Sequence, residues 1–431
     1  MRRSTTTRTL ADPAAIKRQL LAWGAAHTTA IWLDSNKHKD QYGNFDALLA
    51  VGEVSALQCT DPLGAFEKLA TYLAKTHDWI FGYLSYDLKN DLEDLASKHK
   101  DSLQFPALYF FQPQKIIMLR GNILTQMYIP DVEDQANTDF RAIENQSFLP
   151  KKPSNRLKIQ SQFNKSEYLK QVGTMLDHIH RGDIYEANFC QEFYADGSID
   201  ALETFNKLNR ISQAPFAAYF KQAEKYVLCT SPERYLRKKG DKLISQPIKG
   251  TARRSKNPAE DAQIAHALAK DEKERSENIM ITDLVRNDLS RVAQKGSVQV
   301  DELCETYSFK QVHQLVSTIS ATVDKDIPVI DVIKKTFPMG SMTGAPKVSA
   351  MKIIENLERH KRGLYSGALG YFTPEGDFDF NVVIRSILYD AVKKYVSFPV
   401  GSAITAMADP EKEYEECLLK AKAMREVLEG N

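Results

Sequence analysis

The rhythm of apolar and polar positions changes several times along the chain. From residue 164, NKSEYLKQVGTMLDHIHRGD sets Tyr168, Val172, Met175, Leu176 and Ile179 at helical spacing, with Gly182 as a stop. IYEANFCQEFYA then alternates like a strand, and a strand pair is predicted over 216–229 and 234–245. Residues 258–293 read as helix, first polar and then amphipathic through ENIMITDLVRNDLSRVA; a last helix is predicted over 411–428. Nearer the N-terminus, TTAIWLDS at 28–35 and FGYLSYDL at 81–88 read as strands. Residues 105–129 form a predicted hairpin turning at Arg-Gly-Asn, 120–122. The pattern fades over 130–162, which reads as a connection between an N-terminal region, 1–150, and a C-terminal region, 151–431. The opening MRRSTTTRTLA is basic and hydroxyl-rich and lacks an apolar segment, so an unstructured tail is expected rather than a targeting signal.

Composition narrows the classes. The chain has 431 residues, 43% of them hydrophobic, which suits one large or two to three ordinary domains. Its 57 basic and 56 acidic side chains leave a net charge of +1, so no nucleic-acid partner is expected. No apolar run reaches the length of a membrane span. Cys59, Cys190, Cys229, Cys304 and Cys417 are scattered without a C-x-x-C pair, which points away from disulfides and zinc and toward the cytoplasm.

Several stretches carry candidate chemistry. Glu274 with Glu277, and Glu413 with Glu416, are Glu-x-x-Glu pairs on predicted helices, and residues three apart share a helix face. Two such faces together would form a nest for a hard divalent cation such as magnesium; the plainer reading is a solvated face with Lys270, Lys273, Lys412 and Lys420 nearby. FPMGSMTGAPK, 337–347, opens either a capped helix or an anion site. VVIRSILY, 382–389, sets Arg385 in an apolar strand, where it needs an anion: a structural carboxylate or a substrate one. His313 lies in an apolar setting, as core or as catalyst, and Lys249, in ISQPIKGTARR, sits in a tight turn between Pro-Ile and glycine.

Taken together and in order, ISQPIKGTARR, ENIMITDLVRNDLSRV, FPMGSMTGAPKVSAMKIIENLE, RGLYSGALGYF, VVIRSI and DPEKEYEECLLKAKA resemble the chorismate-utilising enzymes. That family includes anthranilate, aminodeoxychorismate, isochorismate and salicylate synthases. The resemblance covers 164–431 strongly and the N-terminal region more weakly, through IWLDS and FGYLSYDL. It implies an α+β fold of antiparallel sheets packed as a sandwich and flanked by helices, with both regions woven together. It implies Glu277 and Glu416 as direct magnesium ligands, with Glu274 and Glu413 acting through water. Tyr365 and Arg385 match residues that hold the enolpyruvyl carboxylate, helped by backbone N–H groups near Gly401 and Ser402. Ser341, Thr343 and Lys420 are placed in the same substrate pocket, and Glu233 and His313 among the catalytic groups.

Within the family, PIKGT resembles the aminodeoxychorismate synthases; anthranilate synthases carry alanine where Lys249 stands. The resemblance implies a lysine nucleophile at chorismate C2, displaced by ammonia to give 4-amino-4-deoxychorismate for 4-aminobenzoate and folate synthesis. Such a lysine must lose its proton, so burial, nearby cations and magnesium are expected to depress its pKa. Ammonia would come from a separate glutamine amidotransferase, and a downstream aminodeoxychorismate lyase would release pyruvate. Isochorismate and salicylate synthases place a lysine where this chain has Glu186, so their water activation is not expected. WLDS, 32–35, and QAPFAAYF, 213–220, depart from the tryptophan-regulated pattern; a tryptophan-like pocket near Asp34 and Ser35 stays open, without feedback being assigned. The alternatives are anthranilate synthase component I and a non-catalytic chorismate-binding scaffold subunit.

Overall fold

The computed structural model describes residues 2–38, 40–146, 156–324 and 326–430. Among them are eleven α-helices and twenty strands, the strands joined in one hydrogen-bonded network. Every ladder between those strands is antiparallel, and the network runs as a ribbon folded over on itself. One course passes from Glu186–Asp196 through Tyr395–Thr405, Ser386–Asp390, Lys225–Ser231, Phe216–Gln222, Thr29–Asp34 and Ala47–Cys59 to Leu108–Arg120. The other leaves Leu108–Arg120 through Ile80–Leu84, Ala368–Phe372, Phe378–Val382, Arg234–Lys239 and Lys242–Gln246. It ends on Val312–Thr322, which also pairs with Ile248–Arg253 and Gln299–Ser308.

Strand alternation builds two apolar layers from one ribbon. In Thr29–Asp34, Ile31 and Leu33 enter one core while Ala30 and Trp32 enter the other. Leu48 and Ala50 oppose Leu49 and Val51 in the same way, and Ala218 and Phe220 oppose Ala217 and Tyr219. The first core is the interior of a sandwich. Tyr83 of the second course meets Phe220 of the first edge-on, ring centroids 5.4 Å apart, with Phe105 beside Tyr83 and Tyr109 against both. Each buried ring contributes about 1.5–3 kcal/mol. The second core is closed by helices: Tyr168 and Met175 from Lys165–His180, Phe205 from Ala201–Ser212, Cys417 and Met424 from Pro410–Glu429. The predicted sandwich with flanking helices is the observed architecture.

Local differences have local causes. The expected tail is an edge strand, Ser4–Thr9 paired with Ile123–Tyr128, and Arg3 ahead of it bridges Asp78 at 2.8 Å. Its four threonines, Thr5, Thr6, Thr7 and Thr9, carry strand propensity that the basic, hydroxyl-rich composition masks. The connection holds a short helix, Ala136–Glu144, that buries only Ala136 and Ile143; 147–155 lie outside the described residues. The predicted strand pair is two hairpins, and the predicted helix over 258–293 is two helices, Pro258–Lys270 and Glu272–Ser290. Asp271 breaks it, and its carboxylate caps the second by accepting from the Glu274 N–H. Thr29–Asp34 pairs with Phe216–Gln222, and Ile80–Leu84 with Ala368–Phe372. Among the described residues no helix is long and apolar enough to cross a membrane.

Candidate active site

A cleft of about 710 Å³ opens where Ile248–Arg253 meets the last helix, and Lys249 is on its wall. This lysine lies in a strand, not in the expected turn. Lys249 faces Leu315 across the ladder but Thr251 faces Gln314, so Gly250 is an extra residue, at φ +90°. Such a bulge bends the strand and re-aims its neighbours, and glycine adopts that backbone without strain. The Lys249 side chain is 11% exposed, and its Nζ lies 3.1 Å from Glu186 Oε1. Arg253 and Arg254 turn away to Glu260, at 2.6 Å, and Asp261, at 2.7 Å. Burial works against the ammonium, yet Glu186, Glu277 and Glu233 outweigh it and hold the pKa above the ordinary lysine value. The depression expected from neighbouring cations is therefore not supplied by protein groups: the facing charges are carboxylates.

Two helices supply Glu277 and three further carboxylates. Glu274 and Glu277 of Glu272–Ser290 line the cleft with Glu416 of Pro410–Glu429; Glu413, buried behind them, is held by Lys273 at 2.9 Å. Burial pushes Glu277 up to about 8. Glu274 and Glu413 are also raised, first by burial and then by Glu416. Burial acts on Glu416 as well, but Lys420, 2.6 Å away, outweighs it and holds Glu416 down to about 2. Glu277 Oε1 and Glu413 Oε2 are buried without a hydrogen-bond partner among the described residues. Such oxygens, in a nest with too few cations, fit a hard divalent ion. Among the described residues no three potential ligands are already gathered closely enough to hold one. Lys273 and Lys420 occupy the carboxylates as counter-ions instead.

Across the cleft stands Arg385. The strand predicted through it is broken there: Phe378–Val382 ends before it, Ser386–Asp390 begins after it, and its φ is +51°. Thr230 secures its carbonyl through the backbone N–H, 3.2 Å, and the hydroxyl, 2.9 Å. The guanidinium has no carboxylate within ion-pair distance among the described residues; Glu416 acts on it only from further off, and burial lowers its pKa. The structural-carboxylate alternative is thereby removed. Tyr365 lines the same wall, its hydroxyl 3.8 Å from Cys190 Sγ. Glu233, pushed up to about 7 by burial, accepts a hydrogen bond from the Ser341 hydroxyl at 2.5 Å. Lys420 donates to the Gly401 carbonyl at 2.9 Å.

Residues 9–426 match the family described as chorismate binding enzymes. The chain belongs to that family. It is 35% identical, over 82% of its length, to a probable chloroplastic aminodeoxychorismate synthase of Oryza sativa subsp. japonica, of which it spans 43%. It is 34% identical, over 81% of its length, to aminodeoxychorismate synthase component 1 of Escherichia coli, of which it spans 76%. It is also 33% identical, over 86% of its length, to an anthranilate synthase component I-like protein of Synechocystis, spanning 77% of that chain. Among solved structures, anthranilate synthase component I of Streptococcus pneumoniae superposes with a TM-score of 0.77 over 90% of this chain and 95% of its own, at 22% identity. The last likeness is one of fold.

In this chorismate binding enzyme, the structure does not bring every predicted residue to the cleft. The Ser402 side chain points the other way, toward the Tyr168 hydroxyl at 3.2 Å, so the role expected near Gly401 and Ser402 would fall to the backbone, not to this hydroxyl. The Thr343 hydroxyl donates to the carbonyls of Met339 and Gly340, both at 3.2 Å, and the Thr343 carbonyl accepts from the Asn188 N–H at 2.7 Å, so this residue braces the loop. His313 faces away from the cleft: Nε2 lies 3.0 Å from Asp261 and Nδ1 2.8 Å from the Ser308 hydroxyl. Neighbours in a strand point to opposite faces, and it is Gln314 that reaches the cleft. The assignment to His313 was one position off. Gln314, Asn188, Lys273 and the Glu186 contact were missed as site features; strand parity was the one available signal. Asp34 lines a separate hollow with Phe45, Phe216 and Tyr371, its carboxylate 2.5 Å from Lys17, while the Ser35 hydroxyl donates to the Asp46 carbonyl.

Proposed function

We propose that this chain converts chorismate and ammonia into 4-amino-4-deoxychorismate through a covalent bond to Lys249. The observation that carries this reading is the presence of Lys249 in one cleft with four glutamates and an arginine that has no ion-pair partner among the described residues. Chorismate is a dianion, and the cleft offers two places for its carboxylates. Arg385 and Tyr365 receive the enolpyruvyl carboxylate. A magnesium ion held by Glu277 and Glu416, with Glu274 and Glu413 behind, would bind the ring carboxylate and offset the nest's negative charge.

Glu186 is the carboxylate within reach of the Lys249 ammonium, and it takes the proton that frees the amine. The amine attacks C2, both ring double bonds shift by one position, and the C4 hydroxyl leaves as water with a proton from Glu233. Ammonia then attacks C4, both double bonds shift back, and the C2–N bond breaks to return the lysine amine. Ammonia comes from a separate glutamine amidotransferase, in keeping with the component 1 designation of the Escherichia coli and Bacillus subtilis relatives. A lyase acting next would eliminate pyruvate. A reducing cytoplasm suits five buried, unpaired cysteines.

Purified chain given magnesium, chorismate and ammonium chloride should form aminodeoxychorismate, identified by mass and retention. Anthranilate with pyruvate would assign it to the other activity named among its relatives, and no turnover would leave a scaffold. Without ammonia, mass spectrometry should find the dehydrated chorismate skeleton on Lys249, and Lys249→Ala should lose both adduct and product while still binding chorismate. An unchanged rate in that variant removes the nucleophile.

A further inference from the structure

We propose that the Gln314 carboxamide is the docking point of the ammonia nucleophile, and that ammonia reaches it through a second hollow behind the chorismate cleft. This rests on the function proposed above. The hollow, about 430 Å³ with its open mouth included, shares Pro232, Gln314, Arg385 and Lys420 with the cleft, so those four residues stand between the two.

Three features make the junction selective for neutral ammonia. First, Gln314 is 4% exposed, and its Oε1 is buried without a hydrogen-bond partner among the described residues. Its Nε2 is turned toward the Thr251 hydroxyl, 3.4 Å away. A buried carbonyl oxygen left unpaired calls for a small N–H or O–H donor. Second, no carboxylate among the described residues lines the hollow; apart from Arg385 and Lys420 its walls are apolar or neutral, with Phe309, Val312 and Met424 beside Ser212, Thr230 and Gln311. An ammonium ion finds no counter-charge on that path. Third, Arg385 lines both the hollow and the cleft and has no ion-pair partner among the described residues, whereas Lys420 is already paired with Glu416. The arginine repels ammonium and leaves neutral ammonia unopposed. One N–H of ammonia donates to Gln314 Oε1, and the lone pair stays free to attack C4; the charge formed on nitrogen appears only as the bond forms. Gln314 sits opposite Thr251, two residues along from Lys249, so the docking point adjoins the nucleophile it must displace.

The test varies ammonium chloride at saturating chorismate. Gln314→Met keeps the volume and removes the acceptor. It should raise KM for ammonia about tenfold, as for one lost hydrogen bond, leave KM for chorismate unchanged, and form the Lys249 adduct to the wild-type extent without ammonia. Ala423→Phe, which fills the hollow from Pro410–Glu429, should raise KM for ammonia alone. An unchanged KM for ammonia in either variant overturns the proposal, as does an equal rise in both KM values, which would make Gln314 structural. Wild-type chain that forms no adduct and consumes no chorismate removes the underlying function instead, and this proposal with it.

Discussion

Burial alone gives one carboxyl of this cleft an acid's role near neutral pH. Glu233 is raised to about 7, so it keeps its proton below that pH and loses it above. The rate of adduct formation at Lys249 should therefore fall as pH rises through about 7 if Glu233 supplies the proton that leaves with the C4 hydroxyl. Glu233→Gln should abolish that limb and slow the step by about 10²–10⁴-fold, as stopped-flow measurement of chorismate loss would read. Arg385 makes the complementary case for binding. Its guanidinium has no ion-pair partner among the described residues, so Arg385→Met removes a substrate contact without orphaning a structural one. About 1.5–3 kcal/mol of chorismate binding should go, roughly ten- to hundredfold in KM, with the fold intact by circular dichroism. At this scale much of the site was legible. Lys249, Arg385 and three of the four glutamates reach one cleft, because their chemistry is unusual for their apolar surroundings. His313 was placed in the cleft because two adjacent polar residues in one strand look alike until it is known which of them faces it.

Elements show why the setting of Lys249 was harder to read. Gly250 inserts one residue into Ile248–Arg253, and nothing in PIKGT distinguishes a bulged strand from a turn. Its φ of +90° is closed to other residues, and an added Cβ would come within 3.1 Å of Glu274 Oε2. Gly250→Ala should therefore lower stability by about 1–2 kcal/mol and reduce adduct formation further than that loss explains, because Lys249 is re-aimed. Urea unfolding and adduct mass spectrometry on the same variant separate the two effects. The helices were easier to read. Lys165–His180, Glu272–Ser290 and Pro410–Glu429 each follow a side chain that caps the first turn, Asn164, Asp271 and Asp409. Ala136–Glu144 was passed over because so little of it is buried.

For the whole molecule, local pattern runs out. Alternation identifies strands but not their partners, and Ile80–Leu84 finds Ala368–Phe372 far along the chain. The family resemblance, not periodicity, supplied the sandwich. Leu108–Arg120 joins its layers: Leu108–Phe111 is hydrogen-bonded on one edge to Cys59–Ala56 and on the other to Leu84–Phe81. Neither layer can peel away while this segment stays paired. Heating should give a single calorimetric transition, with the slowest amide exchange at Leu108–Phe111, and loss of either sheet should empty the cleft at the same temperature.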